Sequence, residues 1–435
     1  MGENVEKEQY PKVLIISHNL YDVNNNIGKT LVSLFMGWPK EKLSQIYFRN
    51  DMPSFNYCKQ YYCITDKEIF LSALYAGRKK AGNCLYEDMQ FCVSEAETNL
   101  YSIGNKRKPI VSLIRDMIWN IGNWKNEKLD KWLKEVSPDI ILFVPNDYCL
   151  AYNVALYVEK VTKKRIIPFY MDDSFYYNCK TTPIDYIRRR KLRKLASCVH
   201  NYSDKIFTIC DYMSEEYQKR FHKKCFAFMN SVNIETKKKN SERVDQYVIS
   251  YLGNLHSNRW ESIVEVGLAI DNIVEKYNKK IEFRIYSGSL LDKSMKKSFD
   301  KIKSIRFMGR IEASQVREKQ LQSDMLVHVE AFDRKSVNST RLSLSTKIPE
   351  YLSSGVCVFA YGPASISSIK YLKEYNLAQV CSNPKEIEQK LYEIIFDADK
   401  RKKYIENGVQ CVNNKHNIAQ VALEFQKLII EDLKK

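Results

Sequence analysis

The stretch LSTKIPEYLSSGVCVFAYGP, residues 344–363, reads as a helix start followed by a buried strand. Ser345 and Thr346 are residue types that cap helices, and Lys347 and Glu350 place opposite charges in the first turn. A helix start of this composition can hold a phosphate at its free N–H groups and paired ribose hydroxyls at its carboxylate. It can equally be a capped helix in which the glutamate stabilises the helix dipole.

Strand and helix patterns alternate on the N-terminal side of this stretch. Pro349 and Gly355 are the residue types that begin and end helices, which sharpens the prediction of a short helix. Buried strands are predicted at YVISYLGNL, IEFRIYSG, IRFMGRI, MLVHVEAF and VCVFAYG, with helical patterns between them. Such alternation predicts a parallel sheet covered by helices.

A second set of strands and helices precedes this one. Its strands are predicted at KVLIISHNL, PDIILFV, KRIIPFYMDD and DKIFTIC, and the polar stretch IETKKKNSERVDQ separates the two sets. We therefore predict an α/β protein with two Rossmann-like domains and parallel sheets. The predicted bounds are an N-terminal domain 1–235, a linker 236–246, a second domain 247–416 and a C-terminal helix 417–435 that packs back on the first domain. Ligands are expected in the cleft at the carboxyl ends of the strands.

Composition narrows the class of protein. A chain of 435 residues is long enough for two cores, and 44% hydrophobic residues indicate a globular protein. The net charge of +17 predicts an anionic partner such as a phosphorylated substrate, a membrane surface or a nucleic acid. The twelve cysteines form no CxxC pair and the six histidines show no zinc spacing, so we predict a reduced cytoplasmic protein without a disulfide framework or a zinc site.

Four stretches resemble a known family. STKIPEYLSSGVCVFAYG is similar to the nucleotide-sugar signature of GT-B glycosyltransferases of the family 4 type, which build bacterial surface glycans. YLGNLHSNRWESI resembles their phosphate loop, FMGRI the turn beside the base, and SDKIFTICDYMSEEYQKRF with MNSVN the end of the acceptor domain. The resemblance implies hexosyl transfer from a nucleoside-diphosphate sugar to a surface glycan or lipid-linked saccharide. It also implies retention of configuration, with no metal and no cofactor.

The resemblance implies that domain 1–235 is the acceptor domain and that domain 247–416 is the nucleotide-sugar domain. It also assigns roles to residues at matching positions. Glu350 would bind the ribose, and Arg259 and Lys347 would hold the diphosphate. The remaining donor-binding candidates are the backbone at Gly253, the hydroxyls of Ser345 and Thr346, and Gly309 with Arg310 beside the base. Arg259 can alternatively be a surface arginine, although a helix start disfavours a cation.

One position departs from the family pattern. Many members carry a second glutamate eight residues before the ribose carboxylate, where this chain has Leu342. Glu330 is the nearest replacement and is predicted to contact the donor sugar, whereas His328 in the same strand is predicted to be structural. The missing glutamate leaves a catalytically inactive nucleotide- or glycan-binding protein as an alternative.

Two further groups of candidates lie in the first half of the chain. NNNIGKT is not a P-loop, because Val23 stands where that motif needs glycine, but Gly28 and Lys29 could meet an anion at a helix start. Asp172 and Asp173 follow a buried strand, where one of them could serve as the base for an acceptor hydroxyl. They could also be helix caps, with Tyr176 and Tyr177 packing beside them instead of stacking on a sugar.

The stretch IDYIRRRKLRKLASCV places six cations between Arg188 and Lys194. We predict contact with anionic lipid at the inner face of the plasma membrane, although a solvated helix face is the alternative. A nucleic-acid-binding protein would also fit the charge. No zinc finger, RRM or basic-zipper signature is present, so we predict no nucleic-acid partner.

Overall fold

A computed structural model describes residues 10–23, 25–87, 109–175, 182–233, 246–431 and 433. The chain divides into two compact units: Met1–Phe228 with Ala419–Lys435, and Met229–Ile418. The predicted linker 236–246 lies outside the described residues except for its last residue, and Tyr176 and Tyr177 lie outside them entirely.

The described part of the first unit contains a sheet of eight strands. In space their order is β4-β3-β2-β1-β5-β6-β7-β8, and all neighbours are parallel except β3 and β4. Strands such as VLII, IILF and IIPFY are apolar throughout because helices cover both faces of a parallel sheet. The strands are β1 (Val13–Ile16), β2 (Leu43–Tyr47), β3 (Gln60–Cys63), β4 (Asn83–Leu85), β5 (Ile140–Phe143), β6 (Ile166–Tyr170), β7 (Lys205–Thr208) and β8 (Lys224–Ala227).

Seven helices of the described residues accompany this sheet before the chain enters the second unit. They are α1 (Asn26–Leu34), α2 (Asp66–Leu74), α3 (Pro109–Ile121), α4 (Glu127–Val136), α5 (Cys149–Thr162), α6 (Pro183–Asn201) and α7 (Asp211–Phe221). A single 3-10 turn, Lys40–Lys42, precedes β2.

The second unit is built on a sheet in which six described strands are all parallel. Their spatial order is β11-β10-β9-β12-β13-β14. They are β9 (Tyr247–Leu252), β10 (Ile281–Tyr286), β11 (Ile305–Gly309), β12 (Met325–Val329), β13 (Cys357–Tyr361) and β14 (Gln379–Cys381). The chain runs outward from β9 to β11 and then returns to place β12 on the other side of β9. The carboxyl ends of β9 and β12 therefore form a topological switch point, where open α/β sheets bind ligands.

Helices of the second unit cover both faces of this sheet. They are α8 (Arg259–Tyr277), α9 (Lys293–Phe299), α10 (Ala313–Leu321), α11 (Arg334–Thr340), α12 (Lys347–Ser353), α13 (Ser367–Glu374), α14 (Ile387–Phe396) and α15 (Ala398–Lys415), with a 3-10 turn at Pro384–Glu386. Helix α12 lies between β12 and β13, and Gly355 follows it with φ +68°, a conformation that favours glycine.

The last helix, α16 (Ile418–Glu431), packs almost entirely within the first unit, as predicted. The ring of Phe425 lies 5.2 Å from that of Phe35, 5.3 Å from that of Phe207 and 5.1 Å from that of Phe228. The α/β class, the two parallel sheets and the returning helix are thus confirmed. None of the described helices is both long and apolar enough to cross a membrane.

Candidate functional site

Lys347 begins helix α12 and extends its side chain toward the end of β9. Its Nζ lies 5.2 Å from the centre of the Tyr251 ring, at cation–π distance. A Cβ added at Gly253 would fall only 1.7 Å from the same nitrogen, so the absence of a side chain at Gly253 makes room for the ammonium group. Lys347 and Gly253 therefore meet at the switch point, although 94 positions separate them in the printed sequence.

Helix α12 is held at both ends by hydrogen bonds. The Tyr351 hydroxyl donates to the carbonyl of Leu252 at 3.1 Å and accepts from the Leu252 N–H at 3.2 Å. Asn230 donates its amide N–H to the carbonyl of Thr346 at 2.9 Å, and Arg317 donates to the carbonyl of Ser353 at 2.8 Å. These bonds fix Lys347 relative to β9.

Arg259 is the first residue of α8, where the helix dipole disfavours a cation. Glu330, directly after β12, compensates: Oε2 of Glu330 accepts from Nη2 of Arg259 at 2.9 Å and from Nε at 3.1 Å. Asn254 Oδ1 lies 3.4 Å from the third guanidinium nitrogen. The ion pair joins the carboxyl end of β12 to the loop after β9.

Glu330 is only 3% exposed, and both of its carboxylate oxygens face protein groups. Besides the Arg259 contacts at Oε2, His328 Nε2 lies 3.4 Å from Oε1. Burial alone would raise the pKa of Glu330, but the charge of Arg259 and the nearby His328 side chain outweigh burial and lower it to about 2. Glu330 thus holds Arg259 in place, and its predicted contact with the donor sugar stays a prediction. His328 is buried, as its predicted structural role requires.

The charges around Lys347 influence one another. Burial lowers the pKa of Lys347, and the neighbouring charge of Arg259 lowers it further, whereas Glu330 and Glu350 oppose both effects. The result is a pKa of about 8, so Lys347 is largely protonated at neutral pH. Glu350 lies in the first turn of α12, as predicted.

Replacing Gly253 by alanine is expected to weaken nucleotide binding without unfolding the unit. The new Cβ would displace the end of a flexible lysine side chain, so affinity for a nucleoside diphosphate should fall by about tenfold, the loss of one charge-assisted contact. Gly288→Ala is the matched control, because a Cβ there meets Arg310 at an ordinary 3.6 Å. Calorimetry showing equal affinities for both variants would contradict the placement of the ammonium group.

The predicted capping of α12 by hydroxyls is wrong. Thr346 occupies the N-cap position but makes no side-chain capping bond, because its backbone is helical (φ −60°, ψ −17°) instead of extended. The Ser345 N–H donates to the Ser368 hydroxyl at 3.0 Å.

The two residues predicted to lie beside the nucleotide base are at the end of β11. Gly309 has φ +75°, and Arg310 packs beside Gly288.

Comparison with known proteins identifies the fold. No family model and no curated protein sequence matches this chain. Sucrose-phosphate synthase from Thermosynechococcus elongatus superposes with a TM-score of 0.64 at 11% identity, covering 96% of this chain and 98% of that one. HepE from Anabaena in complex with UDP-glucose gives 0.62 at 10%, covering 97% and 99%, and the UDP-forming trehalose-phosphate synthase from Burkholderia vietnamiensis gives 0.60 at 10% with the same coverage. The chain has the GT-B fold.

Within this GT-B fold, the backbone amides of Gly28 and Lys29 are bonded inside helix α1 and its cap. Asn25 caps α1, so the Gly28 N–H donates to Asn25 Oδ1 at 2.8 Å and the Lys29 N–H to the Asn25 carbonyl at 2.9 Å. Neither amide is open to an anion in this arrangement, whereas contact of the Lys29 side chain with an anion stays a prediction. Gly28 is needed for packing instead, because a Cβ there would lie 2.1 Å from the Asp22 carbonyl oxygen.

The two adjacent aspartates of the GT-B chain differ completely in exposure. Asp173 is fully buried; its Oδ1 accepts from the Tyr217 hydroxyl and the Phe175 N–H, both at 3.1 Å, and lies 3.6 Å from Arg220. Asp172 is exposed. A fully buried carboxyl group cannot contact an acceptor hydroxyl, so Asp172 is the accessible candidate of the two; its role as a base stays a prediction.

Half of the basic cluster on α6 is structural. Arg188 pairs with Asp147 at 2.8 Å and Arg189 with Asp185 at 3.0 Å, and both arginines are buried. Arg189 and Arg193 also donate to the carbonyls of Ser174 and Phe175 at 2.9 and 2.7 Å. Arg189 and Arg193 therefore hold the chain after β6, and Arg188 holds Asp147 after β5. The predicted contact with anionic lipid stays a prediction, which these three arginines do not support.

Sequence reasoning missed two of the groups that position the site. Asn230 lies in the MNSVN stretch already compared with GT-B enzymes, but nothing in its neighbours indicates a bond to Thr346. Tyr351 occupies an apolar position of α12, so the sequence predicts only that its ring is buried. It does not predict that the hydroxyl bonds to Leu252 of β9.

Proposed function

We propose that this chain is a glycosyltransferase that moves a sugar from a nucleoside diphosphate to an acceptor hydroxyl. The observation that carries the proposal is the meeting of Lys347, Gly253 and the Arg259–Glu330 pair at the switch point between β9 and β12. Two cations beside an open backbone at that position suit a diphosphate. The likeness to HepE, whose structure contains UDP-glucose, supports a nucleotide sugar as the donor.

Each residue of the site has a role in this proposal. Lys347 and Arg259 bind the diphosphate and offset the charge that grows on it as the glycosidic bond breaks. Glu350 accepts hydrogen bonds from the ribose hydroxyls, and Gly309 with Arg310 flanks the base. Because two fixed cations can neutralise the leaving group, the reaction is proposed to need no metal. Retention of configuration follows from the family resemblance.

The acceptor is proposed to be a surface glycan or a lipid-linked saccharide on the cytoplasmic side of the membrane. Asp172 is exposed directly after β6, at the carboxyl edge of the first sheet, which suits a residue that orients or deprotonates the acceptor hydroxyl. Asp172→Asn is expected to lower turnover and leave donor affinity unchanged. Turnover equal to that of the wild type would remove Asp172 from the proposal.

A panel of nucleotides and nucleotide sugars in a thermal-unfolding assay tests the proposed function. A nucleoside diphosphate at about 100 times its Kd should stabilise the protein by about 2.7 kcal/mol. If no nucleotide changes the unfolding temperature, the proposal is wrong. Stabilisation by a nucleotide sugar without transfer or hydrolysis of that sugar would favour an inactive binding protein, the alternative that Leu342 leaves open.

A further inference from the structure

Helix α3 carries an apolar stripe that no described part of the chain covers. Ile110, Ile114, Met117 and Ile121 are between 50% and 63% exposed. Their spacing of four, three and four residues places them on one face of the helix, over about 16 Å of its length. The opposite face contains the buried residues Asp116 and Trp119 and packs against the unit. The stripe is thus an outward-facing surface of a folded helix.

Helix α6 packs beside α3 and continues this surface. Ile184 and Ile187 are exposed in its first turns, and Arg190, Lys191 and Lys194 are exposed in the turns that follow. Asp116 of α3 lies within electrostatic reach of Lys191 and Arg188, in agreement with the packing of the two helices. Apolar side chains bordered by cations form the pattern of helices that lie in a membrane interface.

Four acidic groups of α3, α6 and neighbouring segments are paired or buried. Asp66 pairs with Arg115, Asp147 and Asp185 pair with Arg188 and Arg189, and Asp116 is buried. The exposed charges of α6 beside α3, those of Arg190, Lys191 and Lys194, are positive. A second copy of the chain docked about a two-fold axis would bring the same cations together and be repelled. An anionic lipid surface would attract them.

We propose that the surface formed by α3 and α6 docks on an anionic lipid bilayer, with the four residues of the α3 stripe entering the interface and the α6 cations contacting the headgroups. The apolar stripe would bury its side chains in the membrane interface. The three exposed cations would be attracted to the anionic headgroups, and this attraction weakens as the salt concentration rises. This surface differs from the predicted one, which relied on six cations of α6. It does not depend on the proposed donor site.

Co-sedimentation with vesicles tests this assignment. The wild-type chain should bind vesicles of phosphatidylglycerol and phosphatidylcholine, and hardly bind phosphatidylcholine alone. The combined variant Ile110→Ser, Ile114→Ser, Met117→Ser and Ile121→Ser should lose at least about tenfold in binding. Lys191→Gln with Lys194→Gln should bind more weakly and lose much of the salt dependence.

Two controls make the result decisive. Leu290→Ser removes a fully solvated leucine of the second unit and should bind vesicles like the wild type. If a nucleotide stabilises the stripe variant against unfolding, the variant is folded. If no nucleotide binds, its circular dichroism spectrum shows whether it is folded. Unchanged vesicle binding by the stripe variant would overturn the proposal. A different pair of results would assign the surface to a second copy of the chain. In that case the wild type would be a dimer that does not bind vesicles, and the stripe variant would be a monomer.

Discussion

Replacing Lys347 by alanine is expected to lower turnover by about 100- to 1,000-fold, the usual effect of removing one group that stabilises charge in a transition state. Affinity for a nucleoside diphosphate should fall by about tenfold or more, because a charge-assisted hydrogen bond contributes roughly 1.5–3 kcal/mol. The effect on turnover exceeds that on affinity, because the charge on the leaving diphosphate grows as the sugar departs. Single-turnover kinetics and calorimetry measure the two effects separately.

Lys370→Ala is the matched control for this variant. Lys370 is an exposed lysine of the same unit that pairs with Glu374 at 3.5 Å, so its loss should leave turnover within about twofold. If the Lys347 and Lys370 variants behaved alike, the ammonium group at the switch point would have no part in the reaction.

The pH dependence of donor binding gives an independent reading of Lys347. Its pKa of about 8 in the free protein means that a diphosphate binds the protonated form and must recruit a proton at higher pH. Affinity for a nucleotide sugar should be flat below about pH 7 and fall by up to about tenfold per pH unit above pH 8, until the raised pKa of the bound lysine is reached. In Lys347→Ala this decrease should disappear.

Glu330→Gln is expected to destabilise the second unit by about 3–5 kcal/mol at neutral pH. The variant keeps the size of the side chain but leaves Arg259 without its buried counter-charge, and breaking a buried pair from one side costs this much. Chemical denaturation followed by a signal from the second unit measures the change. Arg259→Ala would likewise leave Glu330 without its counter-charge. This variant would lose stability and donor binding together, so it does not separate the two effects.

The pH dependence of stability should identify the same carboxylate. The folded pKa of Glu330, about 2, lies below its ordinary value of 4.5, so between these values the unfolded chain binds more protons. The contribution of Glu330 is therefore complete above about pH 4.5 and is lost as the pH falls toward 2. The difference in stability between the wild type and Glu330→Gln should shrink over this window.

Glu374→Gln provides the comparison for Glu330. It removes a carboxylate from an exposed pair of the same unit and should change stability by less than about 1 kcal/mol at any pH. A loss in Glu330→Gln no larger than this would show that Glu330 does not anchor Arg259.

The sequence predicted the strands and the short helix α12, because these features depend on local residue patterns. The apolar runs of β9, β12 and β13 and the punctuation by Gly355 specified the sheet and the position of α12 without reference to distant residues. Arg259 and Glu330 are 71 residues apart in the sequence, and their pairing was not predicted. An amphipathic pattern indicates which side chains are buried, but it does not indicate which residue each one contacts. The same limit explains Asp173, whose partners lie on α7.

Runs of charge were the least informative feature of the sequence. Arg188 and Arg189 occupy a stretch that looks solvated, yet both are buried because Asp147 and Asp185 are placed to receive them. The exposed apolar stripe of α3 gave no signal either, because an amphipathic helix looks the same whether protein or another medium covers its apolar face.

Calorimetric titration with a nucleoside and with its diphosphate tests the central claim most directly, using the wild type, Glu350→Gln and Lys347→Ala. If the switch point binds a nucleotide through its ribose and diphosphate, Glu350→Gln should weaken both ligands by about tenfold or more. Lys347→Ala should weaken the diphosphate and leave the nucleoside nearly unchanged. Diphosphate affinity equal to that of the wild type in both variants would contradict the assignment of this site to a nucleotide sugar.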